Sequence, residues 1–277
     1  MRNLILGLLA ETFIHSGVGR TEGAIDLPVA REAATDYPYI PGSSLKGALR
    51  DYAGDYWKNG DASKVETCFG KEGAEQAGGV LVSDARLLLL PVRSLTGSYK
   101  WVTCPMLLER LKRDFERMNS SHSILGVSTP EEGRFLGKDE GILYLEERNF
   151  SSQDDLPENL VEQFGRFIRH VDTQARLPDQ LVILHNKDFN WFARYALSVQ
   201  ARNVLDENKK SKNLWYEESL PPDTLMYALL GKRCDNSGIA NLKTLLQDKP
   251  YLQTGGNETV GMGWFAMQAI NGGGNGQ

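Results

Sequence analysis

Residues 80–92, VLVSDARLLLLPV, read as a buried strand, with Gly79 before it and Pro91 near its end. Such a strand needs partners, and its neighbours in sequence supply them. Residues 3–14 read as another strand, rich in Leu and Ile. Ser43 to Trp57 reads as an amphipathic helix. Pro41-Gly42 makes the turn, Ser43 or Ser44 caps, and Leu45, Ala48, Leu49, Tyr52 and Tyr56 recur at helical spacing. Lys100 to Cys104 forms a short strand. Pro105 then occupies a first helical position, ahead of one face made by Leu107, Leu108, Leu111, Phe115 and Met118.

The order strand, helix, strand, strand, helix points to an α+β fold with a split βαβ, ferredoxin-like core. Further strands are expected at 141–146, 181–185, 213–219 and 264–270, with helices at 157–169, 188–196 and 239–247. The polar stretch 119–140 reads as loop. No domain boundary or repeat interrupts residues 1–270, which are expected to form one domain. Residues 271–277, NGGGNGQ, have nothing to bury and are expected to be disordered.

Composition narrows the functions. The 31 Lys and Arg against 36 Asp and Glu give a net charge of −5, which argues against a free-standing nucleic-acid binder with a basic surface all round. A local basic groove remains compatible with it. Cys68, Cys104 and Cys234 form no CxxC and have no His at metal-ligand spacing, so neither a zinc site nor a disulfide framework is expected. A reducing cytoplasm fits this pattern. The apolar run Leu4 to Ala10 is too short for a secretion signal and runs into Glu11, and no stretch approaches a membrane span.

Four places carry possible chemistry. The start of the 43–57 helix sets Ser43, Ser44, Lys46 and Arg50 at a helix N-terminus without acids, which suits a phosphate. Spacing alone equally describes a capped helix with two solvated cations, and GxxxxGK[ST] is absent. The segment QTGGNETVGMGWF places glycines at 255, 256, 261 and 263. These suit backbone contact with a phosphate chain or a hairpin connection. Asp26 and His15 read equally as a turn residue beside Pro28 and a satisfied histidine at a strand end. In Leu214-Trp215-Tyr216-Glu217-Glu218, strand alternation puts Tyr216 and Glu218 on one face and Glu217 on the other, and adjacent acids at a strand end are ordinarily solvated.

Together these blocks carry a resemblance. GAIDLPVARE followed by YIPGSSLKGALRD resembles the N-terminal signature of the RAMP proteins of CRISPR systems. AGGVLVSDARLLLLPVRSL, YKWVTCP, LWYEESLPPDTLMYALL and LQTGGNETVGMGW are similar to the backbone-subunit family of Cmr-type (type III-B) effector complexes, over about residues 4–265. The resemblance implies a modified RNA-recognition-type core with insertions, whose copies stack along a guide RNA into a filament. It implies that Asp26 is the carboxylate that cuts target RNA, using a divalent metal such as Mg or Mn. His15 and, less securely, Tyr216 and Glu217 fall on accompanying active-site positions. Ser43, Ser44, Lys46, Arg50, Gly255, Gly256, Gly261 and Gly263 fall on guide-contacting elements. The Gly-rich loop has no basic residue, so its contacts would be through backbone alone.

The implied partners are guide RNA, single-stranded target RNA, further copies of the chain, and the large polymerase-like, small helical and capping subunits. A base-flipping hairpin is expected within 197–219, where Arg202, Lys209, Lys210 and Lys212 face Asp206 and Glu207. Asp26 itself argues for cutting. A carboxylate 4 Å from a phosphate costs ~1 kcal/mol even in water, and a surface that only binds RNA gains nothing from it. The competing reading is a purely structural guide-binding subunit, with the nuclease in another chain.

Overall fold

The computed structural model describes residues 3–57, 62–71, 76–118, 126–157, 159–233 and 237–272. The chain opens with β1 (Asn3–Ala10), β2 (Tyr39–Ile40), α1 (Gly42–Trp57), α2 (Ala62–Phe69), β3 (Val80–Val82) and β4 (Ala85–Arg93). Its middle holds β5 (Tyr99–Thr103), α3 (Pro105–Arg117), β6 (Arg134–Leu136), β7 (Ile142–Leu145), β8 (Arg148–Asp154) and α4 (Leu160–Gly165). There follow α5 (Val171–Gln180), β9 (Leu181–Leu184), α6 (Asn186–Tyr195), β10 (Ser198–Leu205) and β11 (Ser211–Ser219). It ends with β12 (Leu225–Lys232), α7 (Ser237–Asp248), β13 (Tyr251–Gln253) and β14 (Trp264–Gly272).

The main sheet runs β13-β14-β1-β12-β4-β5-β9-β6-β8-β7. Within it β14, β1, β12 and β4 are antiparallel neighbours. With α1 after β1 and α7 after β12, they form the ferredoxin-like core. Two of its members differ from the sequence reading, which took 100–104 and 105–118 as the third strand and second helix. Those residues are β5 and α3, and they begin a long insertion between β4 and β12. β4 serves both parts. It pairs with β12 through Arg86, Leu87 and Leu89, and with β5 from Leu90 to Arg93. The expected strand 80–92 is broken at Ser83-Asp84.

β1 is buried along its whole length. Leu4, Leu6, Leu8 and Ala10 pack with Leu45 and Leu49 of α1 and Leu242 and Leu246 of α7. Ile5 and Leu9 pack on the opposite face with Leu108, Leu111 and Phe115 of α3 and with Phe164 and Phe167. Truncating one such leucine to Ala costs ~2–5 kcal/mol. Gly7 faces this second layer because a Cβ there would lie 2.2 Å from the Phe167 carbonyl oxygen.

Other expectations need correction. The stretch 119–140 holds β6, which pairs with β8 and β9, while residues 119–125 lie outside the described residues. The helix expected at 157–169 is only α4, followed by a separate α5. The expected tail begins late, because β14 continues through Gly272; residues 273–277 lie outside the described residues. β10 and β11 pair with each other in a two-stranded sheet apart from the main one, so the 197–219 hairpin is present. Cys68 and Cys104 are buried and free, and Cys234 lies outside the described residues. Among the described residues no helix is long and apolar enough to cross a membrane.

Candidate nucleic-acid interface and catalytic carboxylate

The loop after β1 lies along β11. Leu27 N–H donates to the Tyr216 carbonyl at 3.0 Å, and Glu218 N–H donates to the Leu27 carbonyl at 2.9 Å. This pairing fixes Asp26, whose Oδ2 accepts the Tyr216 N–H at 2.9 Å. Its Oδ1 lies 3.6 Å from Arg20 Nη2. The Asp26 side chain is 30% exposed and that of Arg20 67%, so this ion pair contributes little and leaves the carboxylate open to a ligand.

The two acids that follow Tyr216 are not solvated, contrary to the sequence reading. Glu217 and Glu218 are each 3% exposed, because both faces of β11 are covered at this end. Glu218 meets the segment after Asp26. Arg31 Nη2 lies 2.6 Å from its Oε1, and Val29 N–H donates to its Oε2 at 3.1 Å. Glu217 meets the Gly-rich loop and the hairpin. Asn257 Nδ2 donates to its Oε1, and Arg202 Nε lies 3.3 Å from its Oε2. Tyr216 is 44% exposed.

His15 sits inside this assembly, 8% exposed. Its Nδ1–H donates to the Glu218 carbonyl at 2.7 Å, which fixes the orientation of the ring. The Glu217 carboxylate lies 3.9 Å from the same nitrogen. The His15 carbonyl accepts the Gly256 N–H at 2.9 Å. Gly255, at φ +93°, passes so close that a Cβ would lie 2.6 Å from the same oxygen. The first two glycines therefore seat the loop on His15. Gly261 has φ +80° with open space around it, and Gly263 N–H donates to the Phe13 carbonyl at 2.9 Å.

At the mouth of α1, the Gly42 N–H donates to Asp84 Oδ1 at 2.6 Å. One anion position is thus filled by the chain's own carboxylate, and the exposed Ser43 and Ser44 come next. Lys46 is half-buried and pairs with no described residue. Arg50 is committed elsewhere, donating to the Gly70 carbonyl at 2.8 Å. Ser44 and Gly255 line one groove of about 550 Å³, with Tyr56, Tyr251 and Trp264 along it and the carboxylates of Asp51 and Glu258. Aromatic rings beside acceptors suit bases and ribose hydroxyls better than phosphate.

The structure thus joins Asp26, Tyr216, Glu217, His15 and the Gly255-Gly256 pair in one connected assembly, with the α1 mouth across a groove from it. Asn257, Arg31 and Asp84 were not singled out by the sequence, and Arg202 only as a charge of the expected hairpin. Asn257, Arg31 and Asp84 have partners 40 or more residues away, and Arg202 reaches Glu217 across the β10–β11 pairing, so no local spacing marks these contacts. Of the carboxylates of Asp26, Glu217 and Glu218, only that of Asp26 is open to solvent. Among the described residues no group of three or more His, Cys, Asp or Glu is placed to hold a metal. Asp26 supplies one open carboxylate, which fits a hard divalent ion that takes its remaining ligands from phosphate oxygens and water.

The RAMP superfamily sequence pattern matches residues 8–266. The CRISPR system Cmr endoribonuclease Cmr4 of Pyrococcus furiosus is 31% identical over 283 residues, covering 96% of this chain and 95% of that protein. The CMR subunit Cmr4 of Saccharolobus solfataricus is 24% identical, covering 95% and 94%. A crystal structure of oligomeric Cmr4 from Pyrococcus furiosus has a TM-score of 0.76 at 29% identity, over 98% of both chains. A chain of the type III-B Cmr-beta complex bound to cognate target RNA shares the fold, with a TM-score of 0.80 at 22% identity over 96% of both chains. With its split βαβ core and the motif-bearing loops brought together around Asp26, the chain belongs to the RAMP superfamily, alongside the Cmr4 subunits of CRISPR systems.

Proposed function

We propose that this chain is the repeated backbone subunit of a type III-B CRISPR ribonucleoprotein, binding guide RNA along a filament of copies and cutting paired target RNA. The observation that carries the reading is Asp26: an accessible carboxylate, oriented by a backbone N–H, on a scaffold that commits the acids around it to buried partners. It acts in the cytoplasm, in keeping with free, buried Cys68 and Cys104. Its partners are guide and target RNA, further copies, and the large, small and capping subunits of the complex.

In this reading Ser43, Ser44 and Lys46 hold guide phosphate at the α1 mouth, with Arg50 bracing the helix. The glycines 255, 256, 261 and 263 let the guide approach the loop backbone. Base pairing supplies sequence discrimination, and the protein reads backbone and shape. The β10–β11 hairpin wedges into the duplex and turns a base outward. At the cut, Asp26 orients the 2′-hydroxyl for in-line attack on the neighbouring phosphate and takes up its proton. The leaving 5′-oxygen then collects a proton from solvent. His15 and Glu217 hold β11 and the Gly-rich loop in register, and Tyr216 supplies the N–H that aims Asp26. A divalent ion anchored on Asp26, Mg or Mn, would supply charge neutralisation at the phosphate.

A second reading, a structural subunit without chemistry of its own, is favoured by the same Tyr216–Asp26 hydrogen bond, because a turn aspartate makes such a bond for stability alone. Complexes assembled with Asp26→Asn and mixed with matched target RNA and divalent metal separate the two. The catalytic reading expects intact binding and no product. Wild-type cutting removes Asp26 from the chemistry and favours the structural one.

A further inference from the structure

Arg86, Arg110, Arg113 and Arg117 line one cavity of about 450 Å³ with Glu32 and Asp114. Four guanidinium groups against two carboxylates leave an excess of two positive charges (4 − 2) in a chain whose net charge is −5. The cavity is braced from beneath. Asp114 is 5% exposed, and its Oδ2 accepts Arg86 Nη1 at 2.8 Å and the Tyr227 hydroxyl at 2.9 Å. Its Oδ1 accepts Arg117 Nη2 at 2.9 Å. Arg110 Nη1 donates to Glu32 Oε2 at 2.7 Å, and its guanidinium lies 5.7 Å from the centre of the Tyr37 ring. Each of these bonds uses one of the five N–H donors of its guanidinium, so most of the donors remain for a ligand. Arg113 leans on the exposed Glu109 at 3.8 Å and is 64% exposed itself.

We propose that this cavity binds a backbone phosphate of the guide RNA, a second contact besides the phosphate held at the α1 mouth. The proposal rests on the guide-binding reading of Ser43, Ser44 and Lys46. Its own support is charge and chemistry: three of the four arginines come from α3, and Arg86 joins them from β4 through Asp114. Converging planar guanidinium forks match the oxygens of a phosphodiester. The contact is to backbone, so it carries no sequence preference.

The test uses the full-length chain with Arg113→Gln and Arg117→Gln together, and a guide RNA titrated over a series of salt concentrations. Both side chains are more than half exposed, so the fold should survive; thermal unfolding checks this, and Arg113→Gln alone serves if the pair misfolds. For single strands the salt slope changes by ~0.7 per phosphate contact. The expected result is a slope shallower by about that amount, identical for guide and scrambled RNA. Lys46→Ala runs alongside. If Lys46→Ala flattens the slope and the arginine variant does not, the cavity proposal is overturned and the α1 reading stands. If neither does, both fall. An unchanged slope with shortened assemblies also overturns the proposal, and assigns the cavity to acidic side chains of another copy.

Discussion

The Tyr216 N–H donates to Asp26 Oδ2 at 2.9 Å, so the carboxylate and strand β11 hold each other in place. This bond separates charge from shape. Asp26→Asn keeps a carbonyl oxygen to accept the N–H, while Asp26→Ala keeps nothing. We expect both variants to lose target cutting. Only Ala should also lose stability, by ~1 kcal/mol for the missing hydrogen bond. Denaturant unfolding and cleavage, measured on the same preparations, check the split.

Arg31 and Glu218 brace the loop that carries Asp26 with an ion pair of 2.6 Å. Arg31 also donates to the Asp36 and Ala193 carbonyls, each at 2.7 Å, so it ties three segments together. Arg31→Met leaves a carboxylate that is 3% exposed without its charge partner. Breaking a buried pair from one side costs ~3–5 kcal/mol. Arg31 is itself 19% exposed, which places the expected loss near the lower end. Glu218→Gln, which retains an acceptor, should cost less. A urea midpoint that barely moves for Arg31→Met would show that water replaces the pair.

The elements that the sequence announced are those whose signals are local. Helix α1 follows from Pro41-Gly42 and its leucine spacing, and α3 from Pro105 and the apolar face that runs from Leu107 to Met118. Strand β12 was missed, although it lies at the centre of the core. LMYALLGK is buried on both faces and shows no alternation, and which strand fills the middle of a sheet is decided by long-range pairing. The site divides in the same way. Asp26, His15 and the glycines stand out in motifs, but Arg31, Asn257 and Arg202 acquire meaning only when residues 31, 202, 217, 218 and 257 meet.

Burial pushes the Cys104 thiol up to about 11, and raises the Tyr37 and Tyr227 hydroxyls above their ordinary range. The folded state therefore prefers all three groups protonated. A group whose pKa is raised on folding contributes its full stability below its unfolded value, ~8.5 for a thiol, and loses it as pH rises through the folded value. For Cys104 the window is about pH 8.5 to 11. The urea midpoint should stay flat up to about pH 8.5 and fall above it, less steeply in Cys104→Ala. Alkylation of Cys104 should require unfolding. Rapid labelling of the folded chain at pH 8 would contradict its burial.

Asn257 Nδ2 donates to Glu217 Oε1, joining the Gly-rich loop to β11 one residue from the N–H that aims Asp26. The neighbouring Gly256 N–H donates to the His15 carbonyl, so in the proposed reading the guide-contacting loop and the cutting carboxylate are linked within a few residues. Asn257 has φ 63°, a left-handed conformation that Gly adopts freely and Ala does not. Asn257→Gly therefore removes the amide without straining the backbone. A hydrogen bond to a charged group contributes ~1.5–3 kcal/mol, and even part of that, taken from the alignment of Asp26, is a roughly tenfold loss of rate. We expect Asn257→Gly to retain guide RNA and bind target as the wild type does, while single-turnover cutting slows about tenfold. Asn257→Asp sets a second carboxylate against Glu217 and should be slower still. If both variants cut at the wild-type rate, the amide only fastens the loop, and Asp26 takes its aim from the Tyr216 N–H alone.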